Sequence, residues 1–250
     1  MFQKVVLFIV LFVSIFSSNI SKADPASCKG AWESILNVYT ITPEYQALIG
    51  ICGLDFKNKL WGKISTNKDL GYSGARKIMF SKLDNVNGVV CDVYSTQCIR
   101  TSGIPDPKVF NTEHSWCQSW GAVGISKDDL HHLYPVSSNI NSIRSNYPFC
   151  EVVASTWSSD GSVFGESSSG TLCFEPRDEH KGELARAMFY FSVRYSRPID
   201  SEQEYFFRKW NSEFPVTEKE FKRNEDIFTY QGNRNPFITY PAFADVIDDF

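Results

Sequence analysis

The chain has 250 residues, of which 42% are hydrophobic and 22% are charged, an ordinary composition for a globular protein with a sizeable core. With 25 basic and 29 acidic residues, the formal net charge is −4. This acidic balance argues against a module that only binds nucleic acid, because such binding depends on neutralising phosphates. It does not exclude an enzyme, which needs only a local cationic groove.

The first 23 residues have the pattern of a secretory signal peptide. A short basic head over residues 1–4 precedes an apolar run over residues 5–16, and a small, polar segment ends at Ala23. An uncleaved membrane anchor is the alternative, but a helix that spans a bilayer needs about 20 apolar residues. We therefore predict cleavage after Ala23, a mature domain over residues 24–250, a secreted or periplasmic location and no membrane association after cleavage.

Seven cysteines fall within the predicted mature domain, and in an exported protein disulfides are the default expectation. Turn-forming residues separate Cys91 from Cys98, so we predict a disulfide across a hairpin there. The odd number leaves at least one thiol unpaired or joined to another chain. A zinc site is the competing interpretation, but the sequence contains no C-x-x-C pair.

The predicted elements mix helices and strands along the chain. Apolar spacing predicts helices between residues 26 and 62, with a second one starting within 44–48, and a further helix over 73–83. Strands are predicted over 89–94, with the returning strand of the hairpin at Cys98, and then over 108–114 and 129–134. A short helix capped by Ser137 or Ser138 follows the last of these strands. Residues 155–170 read as a surface loop or a hairpin, and the last helices are predicted over 183–195 and 201–224, with a break at Pro215. No repeat or long linker demands more than one domain.

The region from Glu113 to Asn146 holds three of the four histidines of the chain, together with several amides and an arginine. Cleaving a phosphodiester requires an activated water, charge neutralisation and help for the leaving oxygen. A histidine such as His114 can serve as the base, and a hard cation held by oxygen ligands can stabilise the charge. Glu113 and His114 are neighbours, so they can share one site only at a strand end or bulge. A helix laid across the two strands would bring Asn141 over this pair.

These residues and their order resemble the ββα-metal nucleases, and more narrowly the endonuclease I family of secreted and periplasmic nonspecific nucleases. The resemblance covers most of the mature chain. The segments that carry it span residues 71–94, 111–114, 129–133, 144–148, 174–176, 181–188 and 231–237.

The resemblance implies an α+β fold, a single domain in which a central ββα-metal motif is surrounded by helices. It implies that His114 is the general base and that Glu113 and Asn141 hold a magnesium ion, with Mn²⁺ or Ca²⁺ as alternatives. The substrate would be DNA, with RNA left open, and the products would carry a 5′-phosphate. We expect the enzyme to be a monomer.

Two departures from the family pattern matter. Family members commonly have Pro and Gly where this chain has Cys117 and Cys150, and from this we infer that these two cysteines pair. Some relatives carry an arginine in the loop after the catalytic histidine, but residues 118–127 contain none. Lys127 or Arg144 is the substitute to test, and Arg144 is our candidate substrate-binding residue.

Other candidates have plainer interpretations. We expect one of His131 and His132 to form hydrogen bonds inside the protein and the other to be partly exposed, and His180 to lie on the surface. Arg186 and Arg234 are equally good candidates for ion pairs and for phosphate contacts. A disulfide-bonded secreted binding protein without catalysis is the main competing class. A metallopeptidase is disfavoured because no H-E-x-x-H motif occurs.

Overall fold

The computed structural model describes residues 25–250, so the predicted signal peptide lies outside the described residues. Helix α1 spans Pro25–Val38 and helix α2 spans Gly53–Ile64. A disulfide between Cys28 and Cys52 joins the start of α1 to the start of α2. Residues Gln46–Leu48, near the predicted start of a second helix, form only a 3₁₀ turn.

The predicted helix over 73–83 is confirmed as α3 over Gly71–Ile78, which continues into a π-helical turn at Met79–Leu83. Three short antiparallel strands follow: β1 at Asn85–Val86, β2 at Val89–Cys91 and β3 at Cys98–Arg100. Cys91 and Cys98 face each other in the register of β2 and β3, and the predicted hairpin disulfide between them is confirmed.

The predicted strand–strand–helix order is confirmed at the centre of the molecule. Strand β4 covers Phe110–His114 and pairs antiparallel with β5 over Leu133–Ser137, which leads into α4 over Ser138–Arg144. Strand β5 begins later than predicted because Leu130–His132 form a 3₁₀ turn, which is capped by the Asp129 carboxylate that accepts the His131 N–H. Of the two predicted caps for α4, it is Ser137 whose hydroxyl accepts the Ile140 N–H.

A third antiparallel sheet follows α4. It consists of β6 at Ala154–Ser159, β7 at Ser162–Glu166 and β8 at Leu172–Glu175, so the Ser- and Gly-rich stretch forms a hairpin. The predicted pairing of Cys117 with Cys150 is wrong. The Cys150 N–H donates to the Phe174 carbonyl, which brings Cys150 beside Cys173, and these two form the disulfide. Cys117 is the free cysteine of the described chain, and it is buried.

The remaining helices are α5 over Asp178–Tyr195, α6 over Ser201–Glu213, α7 over Glu218–Gln231 and α8 over Pro236–Thr239. The predicted break at Pro215 is confirmed, since α6 ends two residues before it. Helix α5 is buried along most of its length and packs on α6 and on the turn before β5. The fold is therefore the predicted α+β domain, with the ββα motif surrounded by helices. No helix in the described part of the chain is long and apolar enough to span a membrane.

Candidate active site

The end of β4, the loop after it and α4 enclose a polar cleft of about 360 Å³. Glu113, His114 and Asn141 all line this cleft. The β4–β5 pairing ends at His114, and this is the strand end that lets neighbouring side chains serve one site. The structure thus brings the predicted residues together, while their catalytic roles remain predictions. The cleft is completed by Tyr72, Asn111, Thr112, Cys117, Gln118, Ser119, Ser145 and Asn146.

Glu113 is only 2% exposed, and both of its described partners contact the same carboxylate oxygen. The Tyr94 hydroxyl donates to Oε1 at 3.0 Å, and Arg144 Nε lies 3.0 Å from the same atom. Burial raises the pKa of Glu113, while Arg144 and the Tyr94 hydrogen bond oppose this rise. Both of these contacts therefore hold Oε1, from inside the protein.

His114 is 7% exposed, and its ring packs against the rings of Tyr72 and His132, with centroids 5.6 Å away in each case. Burial and the neighbouring His132 lower the pKa of His114 to about 3, although hydrogen bonds with the backbone at Lys127 and Thr112 oppose the shift. The ring is therefore neutral near pH 7. Its Nε2 is buried and has no hydrogen-bond partner among residues 25–250.

Asn141 lies in the middle of α4, three residues before Arg144, and is half-buried. The alternative role of helix cap is filled by Ser137, whose hydroxyl makes the capping bond. The neighbouring Asn139 is exposed and does not line the cleft. Asn141 is therefore the amide of this helix that is available to the site.

Arg144, the predicted substrate-binding residue, is completely buried. In addition to Glu113, its guanidinium contacts Cys117 Sγ at 2.6 Å, the Ser145 carbonyl at 2.8 Å and the Ser115 carbonyl at 3.0 Å. These contacts join the last turn of α4 to β4 and to the loop after it. A direct contact with a substrate phosphate requires an exposed guanidinium, so this geometry does not support that role. It makes Arg144 a positioning residue for Glu113.

Both histidines of the turn before β5 are buried, 2% exposed for His131 and fully covered for His132, so the prediction that one is partly exposed is wrong. His131 Nε2 lies 3.1 Å from the Asn233 carbonyl, and His132 Nε2 lies 2.7 Å from the Ser126 carbonyl. Burial lowers the pKa of each to about 4. Neutral, backbone-bonded rings of this kind are structural and not metal ligands.

A hard divalent cation suits the donor groups in the cleft. The carboxylate of Glu113 and the amide oxygen of Asn141 are the oxygen donors that Mg²⁺ accepts, and Mg²⁺ keeps several of its waters. A structural zinc site would need four N or S ligands. Over residues 25–250, no three His, Cys, Asp or Glu side chains are arranged to hold a metal. The residues present therefore fit a sparsely ligated magnesium ion.

Two residues that the sequence did not point to contact the residues of the cleft. Tyr94 contacts Glu113, and Arg76 in α3 donates to a cleft-lining threonine. The prediction that His180 lies on the surface is wrong, because it is 2% exposed and faces Glu183. A tyrosine or arginine far along the chain from its partner has no local sequence signal, so only the fold reveals these contacts.

The sequence allowed two roles for Arg186 and Arg234, either in ion pairs or in contacts with phosphate. Arg186 forms a buried pair with Glu220, with an Nε–Oε1 distance of 2.6 Å, and Arg234 pairs with Glu225 at 2.7 Å. Both guanidinium groups are therefore engaged by carboxylates, and neither lines the cleft.

Two antiparallel strands and a helix surround one cleft lined by a glutamate, a histidine and an asparagine, which is the arrangement that the resemblance to the ββα-metal nucleases leads us to expect. Comparison with known proteins gives the family. The sequence profile described as Endonuclease I matches residues 52–242, and the chain belongs to this family of endonucleases. The predicted family and enzyme class are therefore confirmed.

The relatives of the chain include ribonucleases and deoxyribonucleases. The extracellular ribonuclease of Bacillus subtilis is 34% identical over 230 residues, which cover 81% of this chain and 77% of the relative. The extracellular ribonuclease of Bacillus amyloliquefaciens matches to the same extent. The periplasmic deoxyribonuclease of Aeromonas hydrophila is 30% identical over 115 residues, which cover 44% of this chain and 46% of the relative.

Proposed function

We propose that this protein is a metal-dependent endonuclease that hydrolyses nucleic-acid phosphodiester bonds with little sequence preference and leaves 5′-phosphates. The observation that carries the proposal is the convergence of Glu113, His114 and Asn141 on one polar cleft. A binding protein without catalysis has no need of a neutral, unpartnered imidazole beside a buried carboxylate.

His114 is the general base in this proposal. The ring lines the cleft, and its Nε2, which has no hydrogen-bond partner among the described residues, is the atom that accepts a proton from the attacking water. Glu113 and Asn141 would hold Mg²⁺, which when bound supplies charge stabilisation for the reacting phosphate and its leaving oxygen. Arg144 and Tyr94 hold the Glu113 carboxylate in a fixed orientation from within the protein.

Lys127 is the better of the two predicted phosphate-neutralising cations. It is half-buried, its ammonium lies 4.3 Å from the Tyr72 ring centroid, and Tyr72 in turn packs on His114. Arg144 cannot be reached from the cleft because it has no exposed surface. We therefore assign charge neutralisation at the scissile phosphate to Lys127.

RNA and DNA are both proposed substrates. The matches that extend along most of this chain are to extracellular ribonucleases, whereas the deoxyribonuclease match covers less than half of it. This favours RNA cleavage at least as strongly as DNA cleavage. The predicted export agrees with these names, which place the relatives outside the cytoplasm. The predicted monomer and the cleavage site after Ala23 remain proposals.

The test is to incubate the oxidised, mature protein with plasmid DNA and with single-stranded RNA, each in Mg²⁺ and in EDTA. Glu113→Ala and His114→Ala are compared with Glu166→Ala, a matched change at an exposed glutamate in β7. We expect metal-dependent degradation that both cleft variants lose and that Glu166→Ala keeps. No degradation of either polymer by a folded protein would reject the proposal in favour of the binding protein.

A further inference from the structure

A group of one aromatic and two cationic side chains lies beside the cleft; we call Tyr72, Arg76 and Lys127 the Tyr72 cluster. The Tyr72 ring is 5.6 Å from the His114 ring, centroid to centroid, with an angle of 32° between the planes. Lys127 Nζ lies 4.3 Å from the Tyr72 centroid and Arg76 Cζ lies 5.5 Å from it. The tyrosine therefore holds two positive charges close to the proposed base.

Arg76 is anchored to the strand that carries the catalytic pair. Its Nε donates to Thr112 Oγ1 at 3.1 Å, and Thr112 is a cleft-lining residue two positions before His114. Within the described residues the Arg76 guanidinium makes this one side-chain hydrogen bond, through Nε, so its two terminal nitrogens can donate to another acceptor. A phosphate accepts two parallel N–H bonds from such a group.

The two cations of the cluster are not neutralised by acids. In the part of the chain that the structure describes, neither Arg76 nor Lys127 has a carboxylate oxygen within 4.0 Å, whereas Arg186, Arg223 and Arg234 are all paired. The adjacent Asp128 interacts with Lys127: burial and the Asp69 carboxylate raise the pKa of Asp128, and Lys127 opposes this rise. Lys77 also has no carboxylate oxygen within 4.0 Å among the described residues, so the lack of an acidic partner is not by itself distinctive. What distinguishes Arg76 and Lys127 is their position at the Tyr72 ring, beside the proposed base.

We propose that the Tyr72 cluster is a strand-binding subsite, in which Arg76 contacts the phosphate next to the scissile one. The ligand is the backbone of a nucleic-acid strand, recognised by charge and not by base. This inference rests on the proposed function, because it places the strand across the same cleft. It also explains how an acidic protein engages a polyanion, since the positive charge is concentrated where the strand must lie.

The test is the binding of a labelled single-stranded oligonucleotide to the full mature protein in EDTA, so that the strand stays intact. The variants are Arg76→Gln, Tyr72→Leu and the control Lys77→Gln, which removes the same charge from the adjacent, exposed position of α3. Affinity is measured between about 50 and 200 mM salt. Circular dichroism and thermal midpoints establish that each variant is folded, and Mg²⁺-dependent cleavage by the wild type is measured in parallel.

We expect Arg76→Gln to weaken binding by about tenfold at low salt and to reduce the slope of log Kd against log salt by about 0.7, the value for one lost contact to a single strand. Tyr72→Leu should weaken binding because the cations lose their support, and Lys77→Gln should match the wild type. Equal losses for Arg76→Gln and Lys77→Gln, or no loss for either, would overturn the subsite. Wild-type protein that binds through Arg76 without cleaving would instead reject only the proposed function. Wild type that does not bind the strand would overturn the subsite, and the cleavage measured in parallel would decide the proposed function separately.

Discussion

The ion pair between Arg144 and Glu113 leads to the sharpest prediction about stability. Replacing Arg144 with Met keeps much of the side-chain volume but removes the charge. The Glu113 carboxylate would then remain in a site where its side chain is 3% exposed, with the Tyr94 hydroxyl as its remaining partner. The carbonyls of Ser115 and Ser145 would also lose their donors.

The magnitude follows from burial. Removing one partner of a buried pair typically costs about 3–5 kcal/mol, because the other charge stays behind without compensation. We therefore expect the free energy of unfolding of Arg144→Met to fall by about this amount. Lys222→Met is the matched control, since it breaks a pair with Asp226 in which the lysine side chain is 75% exposed. Such an exposed pair contributes about 1 kcal/mol or less.

Urea unfolding in EDTA, followed by tryptophan fluorescence, measures these differences without any contribution from a bound metal. Glu113→Gln and the double variant complete a double-mutant cycle for Arg144 and Glu113. We expect a coupling energy of at least about 1 kcal/mol, because the two residues are in direct contact. A loss of under about 1 kcal/mol for Arg144→Met, equal to that of Lys222→Met, would refute the idea that this buried pair holds the site.

Three further predictions concern the base, pH and the thiols. His114→Ala should lower kcat by about 100-fold or more while the circular dichroism spectrum is unchanged; a near-wild-type rate would remove it as base. Burial lowers the pKa of His131 and of His132 to about 4, below the ordinary value of about 6.5 expected in the unfolded chain. Their contribution to the free energy of unfolding should be complete above pH 6.5 and lost as the pH falls towards 4. The loss should reach up to about 1.4 kcal/mol per pH unit for each histidine. Urea midpoints that stay constant between pH 7 and 5 would contradict this. Thiol titration of the unreduced, unfolded protein should find one group, at Cys117, and Cys150→Ser should release one more, at Cys173; a disulfide-linked peptide that contains Cys117 would disprove this assignment.

Much of the central motif could be predicted from sequence because its signals are local. The strand that ends at His114, the serine cap at Ser137 and the helix break at Pro215 depend on residues within one turn or one strand of each other. The placement of Asn141 followed from the order strand, strand, helix. The family resemblance then gave roles to positions that already had a geometric reason to meet.

The errors concern contacts between distant parts of the chain. Cys150 pairs with Cys173 because the chain after α4 runs alongside β8, and no spacing rule reveals this. His180 was expected on the surface, but the rings of Tyr94 and Tyr134 pack against it. Arg144 was a candidate phosphate ligand because the loop after His114 lacks the arginine that some relatives carry there. Only the fold shows that its guanidinium turns inward to Glu113.

Burial thus separates the cations around this cleft into two kinds with different physical behaviour. Arg144 is fully buried, so its attraction to Glu113 is little affected by dissolved salt, and it can hold the carboxylate in place whether or not a substrate is present. Arg76 and Lys127 are half-buried and lack acid partners in the described chain, so their attraction to a strand is screened by ions. Salt should therefore act on the capture of the strand and leave the organisation of Glu113 and His114 intact. An acidic secreted nuclease can in this way keep a rigid catalytic centre and still release its polyanionic products.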